Sequence, residues 1–339
     1  MAGAGGAAGG VVHRLTAAFG AAMDFSSPAG AAPVNIVPWL AREGLCEPDG
    51  HHVHQITRLL PSAVQQAIPA WVNNFTPLAA TWTARNLYVS LVVVTVYVAM
   101  CFATKAIMRD RLPYKLQGPL AAWNLLLAVF SFAGAAITMP TLLMAVANRG
   151  LEFTVCGNPA EWYGCGLSGV ATTLFILSKL PELVDTVFVV LRKKPLIFLH
   201  WYHHVSVLLF CWHSFSTAAS AGVWFVAMNY TVHAVMYLYY FLAAIGRRPS
   251  WAMAVTVLQL SQMGVGIVIC FLTIWYKRVQ GRVCYITDSN IYAGVAMYTS
   301  YALLFLHFFV NRFCTSRGKG SAATDKTATG NLKDLPVSK

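Results

Sequence analysis

Long apolar runs separated by short polar stretches fill the chain from about residue 87 to residue 313. Each run is long enough to cross a bilayer as a helix. Seven can be drawn, at about 87–104, 119–146, 168–190, 196–215, 221–244, 252–275 and 290–313. Hydrocarbon cannot satisfy free backbone N–H and C=O groups, so each run is predicted to be helical. The pattern therefore predicts an all-α polytopic membrane protein with seven transmembrane helices.

The two ends of the chain lack such runs. Residues 1–80 are rich in Ala, Gly and Pro, and we predict a flexible N-terminal segment there. Residues 316–339 form a polar tail. The predicted membrane domain therefore occupies residues 81–315.

Composition supports a membrane protein, since 57% of the residues are hydrophobic and 11% are charged, against about 25% charged in soluble domains. The net charge of +12 would suit a nucleic-acid ligand, but Lys and Arg lie in short clusters between apolar runs. That pattern is typical of cytosolic loops, so nucleic acid is excluded as a partner. The clusters follow the first, third, fifth and seventh runs, and Lys277, Arg278 and Arg282 in an intervening loop are an exception. This pattern predicts a non-cytosolic N-terminus and a cytosolic C-terminus.

The loop cysteines bear on the side of the membrane that faces away from the cytosol. In the predicted orientation the loops at 147–167 and 276–289 share that side. If the compartment is oxidising, Cys284 can pair there with Cys156 or with Cys165, and three free thiols are the alternative. The eight cysteines include no C-x-x-C pair, so no structural zinc site is predicted.

Three histidines open the fourth run, in the stretch Leu199-His200-Trp201-Tyr202-His203-His204-Val205. On a helix, positions i, i+3 and i+4 share one face. Ionisable groups at membrane depth are costly and point to function by default. Packing alone does not account for three such imidazoles.

Polar stripes on the neighbouring runs are predicted to reach the same level, in the cytosolic half of the membrane. They comprise Lys179, Glu182, Asp185 and Thr186 on the third run, Asn229, His233, Tyr237 and Tyr240 on the fifth, and Thr256, Gln259 and Gln262 on the sixth. Each has a structural alternative: a buried ion pair for Lys179 and Glu182, an interfacial aromatic belt for the tyrosines, and interhelical hydrogen bonds for the glutamines.

Acyl transfer is the first functional hypothesis for this cluster. A neutral imidazole acts as a base or as a nucleophile on a thioester, and Asp185 could orient it. Lys179 and Asn229 could stabilise an oxyanion or a substrate carboxylate. The basic cluster Arg192-Lys193-Lys194 could attract a phosphate-rich carrier such as coenzyme A.

A His-ligated di-iron desaturase or hydroxylase is the alternative, since H-x-x-H-H is also a metal-ligand spacing. Such sites need several clusters of paired histidines, whereas His213, His233 and His307 are isolated here. We therefore predict no metal site. A seven-span receptor or carrier explains the span count but leaves the three histidines without a role.

Four motifs in these stripes give the chain a specific resemblance. They are K-x-x-E-x-x-D-T at Lys179, Glu182, Asp185 and Thr186; H-x-x-H-H at His200, His203 and His204; H-x-x-M-Y-x-Y-Y at His233, Met236, Tyr237, Tyr239 and Tyr240; and T-x-x-Q-x-x-Q at Thr256, Gln259 and Gln262. In this order, across about residues 87–314, the chain resembles the ELO family of fatty-acid elongases.

The resemblance implies that a long-chain acyl-CoA condenses with malonyl-CoA, giving CO2, coenzyme A and a 3-ketoacyl-CoA two carbons longer. It implies a closed seven-helix bundle around an acyl-chain tunnel in the endoplasmic reticulum membrane. No cofactor is expected besides the two substrates. The expected partners are membrane lipid and the ketoacyl-CoA reductase, dehydratase and enoyl-CoA reductase of the elongation cycle, and a homo-oligomer is compatible with the family.

For the reaction, we predict that His203 attacks the acyl thioester and forms an acyl-imidazole. His204, His200 and Asp185 would orient the imidazoles, and His233 would lie near the reacting carbonyl. The candidate substrate-binding residues are Lys179, Glu182, Asn229, Tyr237, Tyr240, Thr256, Gln259 and Gln262. The alternative is a ternary complex in which a histidine acts only as a base.

Substrate preference is indicated by the residues around the histidines. Trp201 within the box, with Phe198-Leu199 before it, resembles the subgroup that acts on saturated and monounsaturated chains, and polyunsaturated chains are the second choice. The tail ends Leu335-Pro336-Val337-Ser338-Lys339, without the dilysine signal frequent in the family. Location in the endoplasmic reticulum is therefore expected from the family alone.

Overall fold

The computed structural model describes residues 60–69, 71–247 and 249–311. The predicted flexible segment up to residue 59 and the polar tail lie outside these residues. The described part contains ten α-helices and no strand. We number them α1 Ser62–Gln66, α2 Trp71–Arg85, α3 Leu87–Ile107, α4 Gln117–Cys156, α5 Gly166–Ser178, α6 Val184–Leu191, α7 Phe198–Ser216, α8 Gly222–Ala244, α9 Ala252–Ile274 and α10 Asp288–Phe309.

All seven predicted runs fall on helices, which confirms the all-α class. Among the described residues, four helices are long and apolar enough to cross a membrane: α3, α4, α9 with its π-helical extension to Val279, and α10. Helices α7 and α8 are long enough, with 19 and 23 residues, but lower in hydropathy. They carry the polar residues of the fourth and fifth runs, such as His203 and Asn229, and these lower the mean.

The third run is broken rather than continuous. Helix α5 ends at Ser178, a 3-10 turn covers Pro181–Leu183, and α6 begins at Val184. Pro181 stands at the first position of the turn, where its missing N–H costs no hydrogen bond. Irregular backbone at membrane depth is tolerated where it is buried in protein or lines a cavity. The break therefore indicates that a cavity or a buried polar site lies beside residues 179–183.

Helix α2 begins inside the segment that composition assigned to the flexible N-terminus. Its residues Val72, Thr76, Ala80 and Thr83 are buried and recur at helical spacing, so one face of the helix packs on the bundle. Thr173 of α5 donates to the Thr76 hydroxyl over 3.1 Å. Residues 71–80 are therefore part of the folded body. At 15 residues the helix is shorter than a membrane span, so it does not contain an apolar run long enough to predict one.

Small residues let the long helices approach closely. A Cβ atom at Gly134 of α4 would overlap the ring of Tyr230 on α8, and one at Gly266 of α9 would overlap the ring of Tyr298 on α10. Such small-to-aromatic contacts are typical of helix packing in membranes, where dispersion rather than hydrophobicity drives association. They set the spacing of the helices that enclose the site.

The loops at the end of the bundle opposite to the basic residues 105–115, 192–194 and 247 are tied together. Cys156 and Cys284 form a disulfide across 128 residues of sequence, which decides between the two pairings open to Cys284. The amide of Tyr285 donates to the carbonyl of Cys156 over 3.0 Å, and that of Ser220 donates to the carbonyl of Tyr285 over 2.9 Å. Three connections are thereby joined into one cap over this end of the bundle.

Candidate active site

The polar stripes converge as predicted, at the broken third run and the facing parts of α7, α8 and α9. The buried members are Lys179, Glu182, Asp185, Thr186, His200, His204, Asn229, His233, Tyr237, Tyr240, Thr256 and Gln262. Buried polar groups must be paired. Their partners show how the site is organised.

Lys179 and Glu182 form an ion pair at the break. The Lys179 Nζ atom lies 2.8 and 3.0 Å from the two carboxylate oxygens of Glu182, and both residues are about 2–3% exposed. Ser178 donates a further hydrogen bond to Glu182 over 2.9 Å, and the Lys179 ammonium lies 4.0 Å above the centroid of the Phe175 ring. A buried pair with its remaining hydrogen bonds satisfied fixes local geometry.

This ion pair also holds a residue on the opposite helix. Lys179 donates to Oδ1 of Asn229 over 3.2 Å, which turns the amide so that its nitrogen faces His233 Nε2 at 3.1 Å. An amide nitrogen only donates, so His233 Nε2 accepts and its proton lies on Nδ1. The chain Glu182–Lys179–Asn229–His233 therefore fixes the tautomer of an imidazole.

Asp185 is anchored by two aromatic residues. Trp123 Nε1 donates to one carboxylate oxygen over 2.7 Å, and the Tyr237 hydroxyl donates to the other over 3.1 Å. The edge of the Tyr237 ring in turn packs against His233, with ring centroids 5.3 Å apart. Asp185 thus stands in a fixed orientation on the wall that it shares with the histidines.

His200 is held by a hydrogen-bond chain that begins on α3. Its Nε2 atom lies 2.8 Å from the Thr186 hydroxyl, which lies 2.7 Å from the hydroxyl of Tyr97. The centroids of the His200 and His204 rings are 4.7 Å apart, and those of His203 and His204 are 5.4 Å apart. The three imidazoles form one cluster.

His203 is supported by α10. Its ring packs on Tyr301 with centroids 5.2 Å apart, and the Tyr301 hydroxyl donates to the His203 backbone carbonyl over 3.2 Å. The same hydroxyl lies 2.7 Å from that of Ser206. These contacts position the backbone that carries His203 without using its ring nitrogens.

Two cavities meet at His203. One is mostly apolar and extends along α7 to Phe215 and Ala218, and we call it the apolar cavity. The other is the more polar of the two and is lined by Asp185, Glu182 and the histidines, and we call it the polar cavity. The walls that they share consist of His203, Asn229, Gln262 and Met263. Of the three clustered histidines, His203 is therefore the one at the junction.

The remaining predicted residues divide into two groups. Glu182, Asp185, His200, His204, His233, Tyr237 and Gln259 line the polar cavity. Lys179, Tyr240 and Thr256, which we expected to bind substrate, line neither cavity. Lys179 is engaged by Glu182 and Asn229, Tyr240 packs against Tyr239, and Thr256 donates to the backbone carbonyl of Ala252. Their motif spacing is right, but the contacts of these side chains lie within the helix bundle, away from both cavities.

Sequence reasoning missed three residues that support the site: Tyr97, Trp123 and Tyr301. Each lies in an apolar run outside the motifs, where an aromatic residue reads as core or lipid contact. Only the hydrogen bonds of Tyr97 to Thr186, Trp123 to Asp185 and Tyr301 to His203 reveal their role.

The alternative of a metal site receives no support from the donor atoms. Within the described residues, no group of three or more His, Cys, Asp or Glu side chains is arranged to hold a metal ion. Nε2 of His200 is committed to Thr186, and Nε2 of His233 is committed to Asn229.

Comparison with known proteins bears on the same residues. The family model described as "ELO: GNS1/SUR4 family" matches residues 82–321. The chain is 37% identical to "Fatty acid elongase 3" of Trypanosoma brucei brucei over 279 residues, covering 74% of this chain and 93% of that protein. It is 43% identical to "Very long chain fatty acid elongase 6" of Drosophila melanogaster over 232 residues, covering 67% and 72%. It is also 40% identical to the Homo sapiens protein of the latter name over 248 residues, covering 72% and 92%.

Proposed function

Because this chain belongs to the ELO family and is a fatty-acid elongase that condenses acyl-CoA with malonyl-CoA, we propose that it works through an acyl-imidazole on His203. One observation carries this proposal: His203 is the only one of the clustered histidines that lines both cavities. The apolar cavity would hold the acyl chain, and the polar cavity would hold the thioester end of each coenzyme A substrate in turn.

In the first step a nitrogen of His203 attacks the thioester carbon. The carbon–sulfur bond breaks, and coenzyme A leaves as the thiol with the proton lost from the imidazole. In the second step malonyl-CoA loses CO2, and the electron pair of the broken carbon–carbon bond attacks the acyl carbon. The carbon–nitrogen bond then breaks, and the released imidazole nitrogen takes up a proton from solvent, which regenerates His203. Asn229 and Gln262, whose amides line both cavities, are the donors that would stabilise the oxyanion in each step.

The test is to trap the intermediate. Purified protein given palmitoyl-CoA without malonyl-CoA should gain the mass of one acyl group on the peptide that contains His203, and malonyl-CoA should discharge it. His203→Ala should abolish the adduct and the incorporation of labelled malonyl-CoA. His213→Ala is the matched control, because His213 lies on the same helix and lines neither cavity. Full activity without any adduct would favour the ternary complex.

Seven membrane crossings, a closed tunnel and a lumenal N-terminus belong to the same proposal. They are supported by the basic clusters at 105–115, 192–194 and 247–248 and by the disulfide at the opposite end of the bundle. The location would be the endoplasmic reticulum. A tag after Lys339 should be digested by protease added to sealed microsomes, whereas the segment around Cys284 should be protected. Protection of the tag would reverse the orientation.

We also propose a preference for saturated or monounsaturated chains. His203 and Phe215 are twelve residues apart on α7, which corresponds to about 18 Å of helix. Carbon–carbon bonds of about 1.5 Å advance an extended alkyl chain by about 1.25 Å per carbon, so this length takes about 14 carbons. In a panel of acyl-CoAs, saturated or monounsaturated chains of about 14 carbons should be the best substrates. Higher activity with polyunsaturated chains would contradict the assignment.

The product determines which enzymes must act next. A 3-ketoacyl-CoA has to be reduced, dehydrated and reduced again before another elongation, so we propose a ketoacyl-CoA reductase, a dehydratase and an enoyl-CoA reductase as partners. Crosslinking in microsomes followed by mass spectrometry would test for contact with these enzymes and for homo-oligomers.

A further inference from the structure

A basic groove lies at the end of α3, apart from the two cavities of the active site. Lys105 and Arg109 form one wall, and Lys193 and Lys194 form the other, with Phe102 and Leu196 among the apolar residues between them. The groove is open and has a volume of about 740 Å³. It shares no lining residue with either cavity of the active site.

The groove is held in shape by contacts between its walls. The Lys193 ammonium donates to the backbone carbonyl of Arg109 over 2.9 Å, and the Tyr114 amide donates to the carbonyl of Leu191 over 3.0 Å. Lys193 has a φ of 53°, in the left-handed region that favours glycine, and its amide donates to Val190 over 2.9 Å. The cations are therefore presented by a fixed backbone.

The charges of the groove are not neutralised by its own lining. Four cations line it and no carboxylate does. Asp110, next to Arg109 in sequence, is exposed and is not part of the lining. Four positive charges around one concave surface form a site for an anion, and a phosphate is the anion that Lys and Arg bind best in such grooves.

The surroundings of the groove indicate that its ligand also has an apolar part. Helix α3 has the smallest buried share of the four membrane-length helices, and Val92, Val96 and Phe102 are more than half exposed on it. This apolar surface leads directly to the groove at the C-terminal end of the helix. A molecule with an anionic head in the groove and acyl chains along α3 would match both the four cations and the exposed apolar face.

We propose that this groove binds the headgroup of an anionic glycerophospholipid from the cytosolic leaflet. The side of the membrane rests on the orientation proposed above, and the chemistry rests on the four cations and the exposed apolar face. Basic pockets between membrane helices on the cytosolic side are known to recognise such headgroups. Coenzyme A is the competing source of phosphate, since Lys193 and Lys194 also belong to the basic cluster expected to attract it and its phosphates lie a pantetheine arm away from the thioester. The exposed apolar face of α3 beside the groove favours the lipid, and the test below includes coenzyme A as a competitor.

The test uses the full chain in nanodiscs that contain equal amounts of phosphatidylserine and phosphatidylcholine. Native mass spectrometry after release should show preferential retention of phosphatidylserine. The variant K105Q/K194Q removes one cation from each wall and leaves the contact between Lys193 and Arg109 intact. It should weaken phosphatidylserine retention on the order of tenfold, since each basic residue near an anionic surface contributes about a fivefold effect and exposed charges are partly screened.

The matched control is R111Q/K115Q, which also removes two positive charges. Both residues are exposed in the loop between α3 and α4 and lie outside the groove. It should retain the lipid as the unaltered chain does. An equal loss in both variants would show a diffuse surface effect and overturn the proposal. Displacement of the lipid by millimolar coenzyme A would also overturn it, because the groove would then be a nucleotide subsite. The failure of the acyl-imidazole proposal would leave these lipid measurements unaffected.

Discussion

Lys179 illustrates how a motif residue can act without touching substrate. Its ammonium is shared between the Glu182 carboxylate and the Asn229 amide, and no cavity described here reaches it. The sequence suggested direct binding of an oxyanion. The hydrogen bonds assign Lys179 instead to positioning Asn229 and, through it, His233. The distinction can be measured, because a positioning role combines an effect on stability with an effect on rate.

Removal of the Lys179 cation should destabilise the protein strongly. Lys179→Met leaves the Glu182 carboxylate buried without its counter-ion, and breaking a buried pair in this way costs about 3 kcal/mol or more. The double variant K179M/E182Q removes both charges and should recover most of that loss, yet remain slow because Asn229 has lost its donor. Thermal unfolding in detergent micelles and labelled malonyl-CoA incorporation measure the two effects. A single variant as stable as the unaltered chain would contradict the assignment.

Tyr97 should affect catalysis without affecting the fold. Tyr97→Phe breaks the chain through Thr186 to His200 while keeping the ring that packs near His204, whose centroid lies 6.1 Å away. A weaker hold on His200 that costs about 1.4 kcal/mol in the transition state should lower kcat about tenfold and leave KM for malonyl-CoA unchanged. Tyr88→Phe, on the exposed side of the same helix, is the control. A change in KM alone would show that Tyr97 supports binding rather than His200.

At the scale of the elements, hydropathy predicted the helices well and their interruptions poorly. The period of apolar residues locates α3, α7, α8, α9 and α10 to within a few residues. It could not show that the third run breaks between Ser178 and Val184, because the break depends on Pro181 and on the pairing of Lys179 with Glu182. Nor could hydropathy predict α2, because this helix is short and amphipathic and its buried face packs on α5 and α7.

Tyr163 closes the end of the apolar cavity remote from His203, and this position should limit chain length. Its hydroxyl donates to the Ala219 carbonyl. A Cβ atom on Gly222 would lie 3.2 Å from the Tyr163 hydroxyl oxygen. Burial raises the pKa of Tyr163, so the hydroxyl remains a neutral donor at physiological pH. Tyr163→Ala should deepen the cavity and shift the products of exhaustive elongation to longer chains, as gas chromatography of the fatty acids would show.

Tyr292→Ala is the matched control for this shift, because Tyr292 lies on α10 and is more than half exposed. Its product profile should equal that of the unaltered chain. An unchanged profile in Tyr163→Ala, in protein that remains folded, would place the limit on chain length elsewhere along α7.

At the scale of the whole molecule, the sequence predicted that polar residues meet but not that two cavities meet among them. Motif spacing placed His200, His203 and His204 on one face, and all three line the polar cavity. The special position of His203 depends on the packing of α7 against α8, α9 and α10, which brings Asn229, Gln262 and Met263 to the same junction. Such a junction is a property of tertiary packing, so no pattern in one segment reports it.

The disulfide should stabilise the molecule as a whole, since it joins the end of α4 to the loop before α10. A crosslink spanning 128 residues removes conformational entropy from the unfolded chain, which for a loop of this length amounts to about 5 kcal/mol. Cys156→Ala/Cys284→Ala should therefore unfold at a clearly lower temperature in detergent micelles. Dithiothreitol should lower the midpoint of the unaltered chain at least to that of the double variant, because it also reduces the disulfide of Cys165. Cys101→Ala, which removes a free buried thiol, should stay sensitive to reductant. If dithiothreitol leaves the midpoint of the unaltered chain in place, then the bond between the two loops does not support the fold, and the cap would rest on its backbone hydrogen bonds through Ser220 and Tyr285 alone.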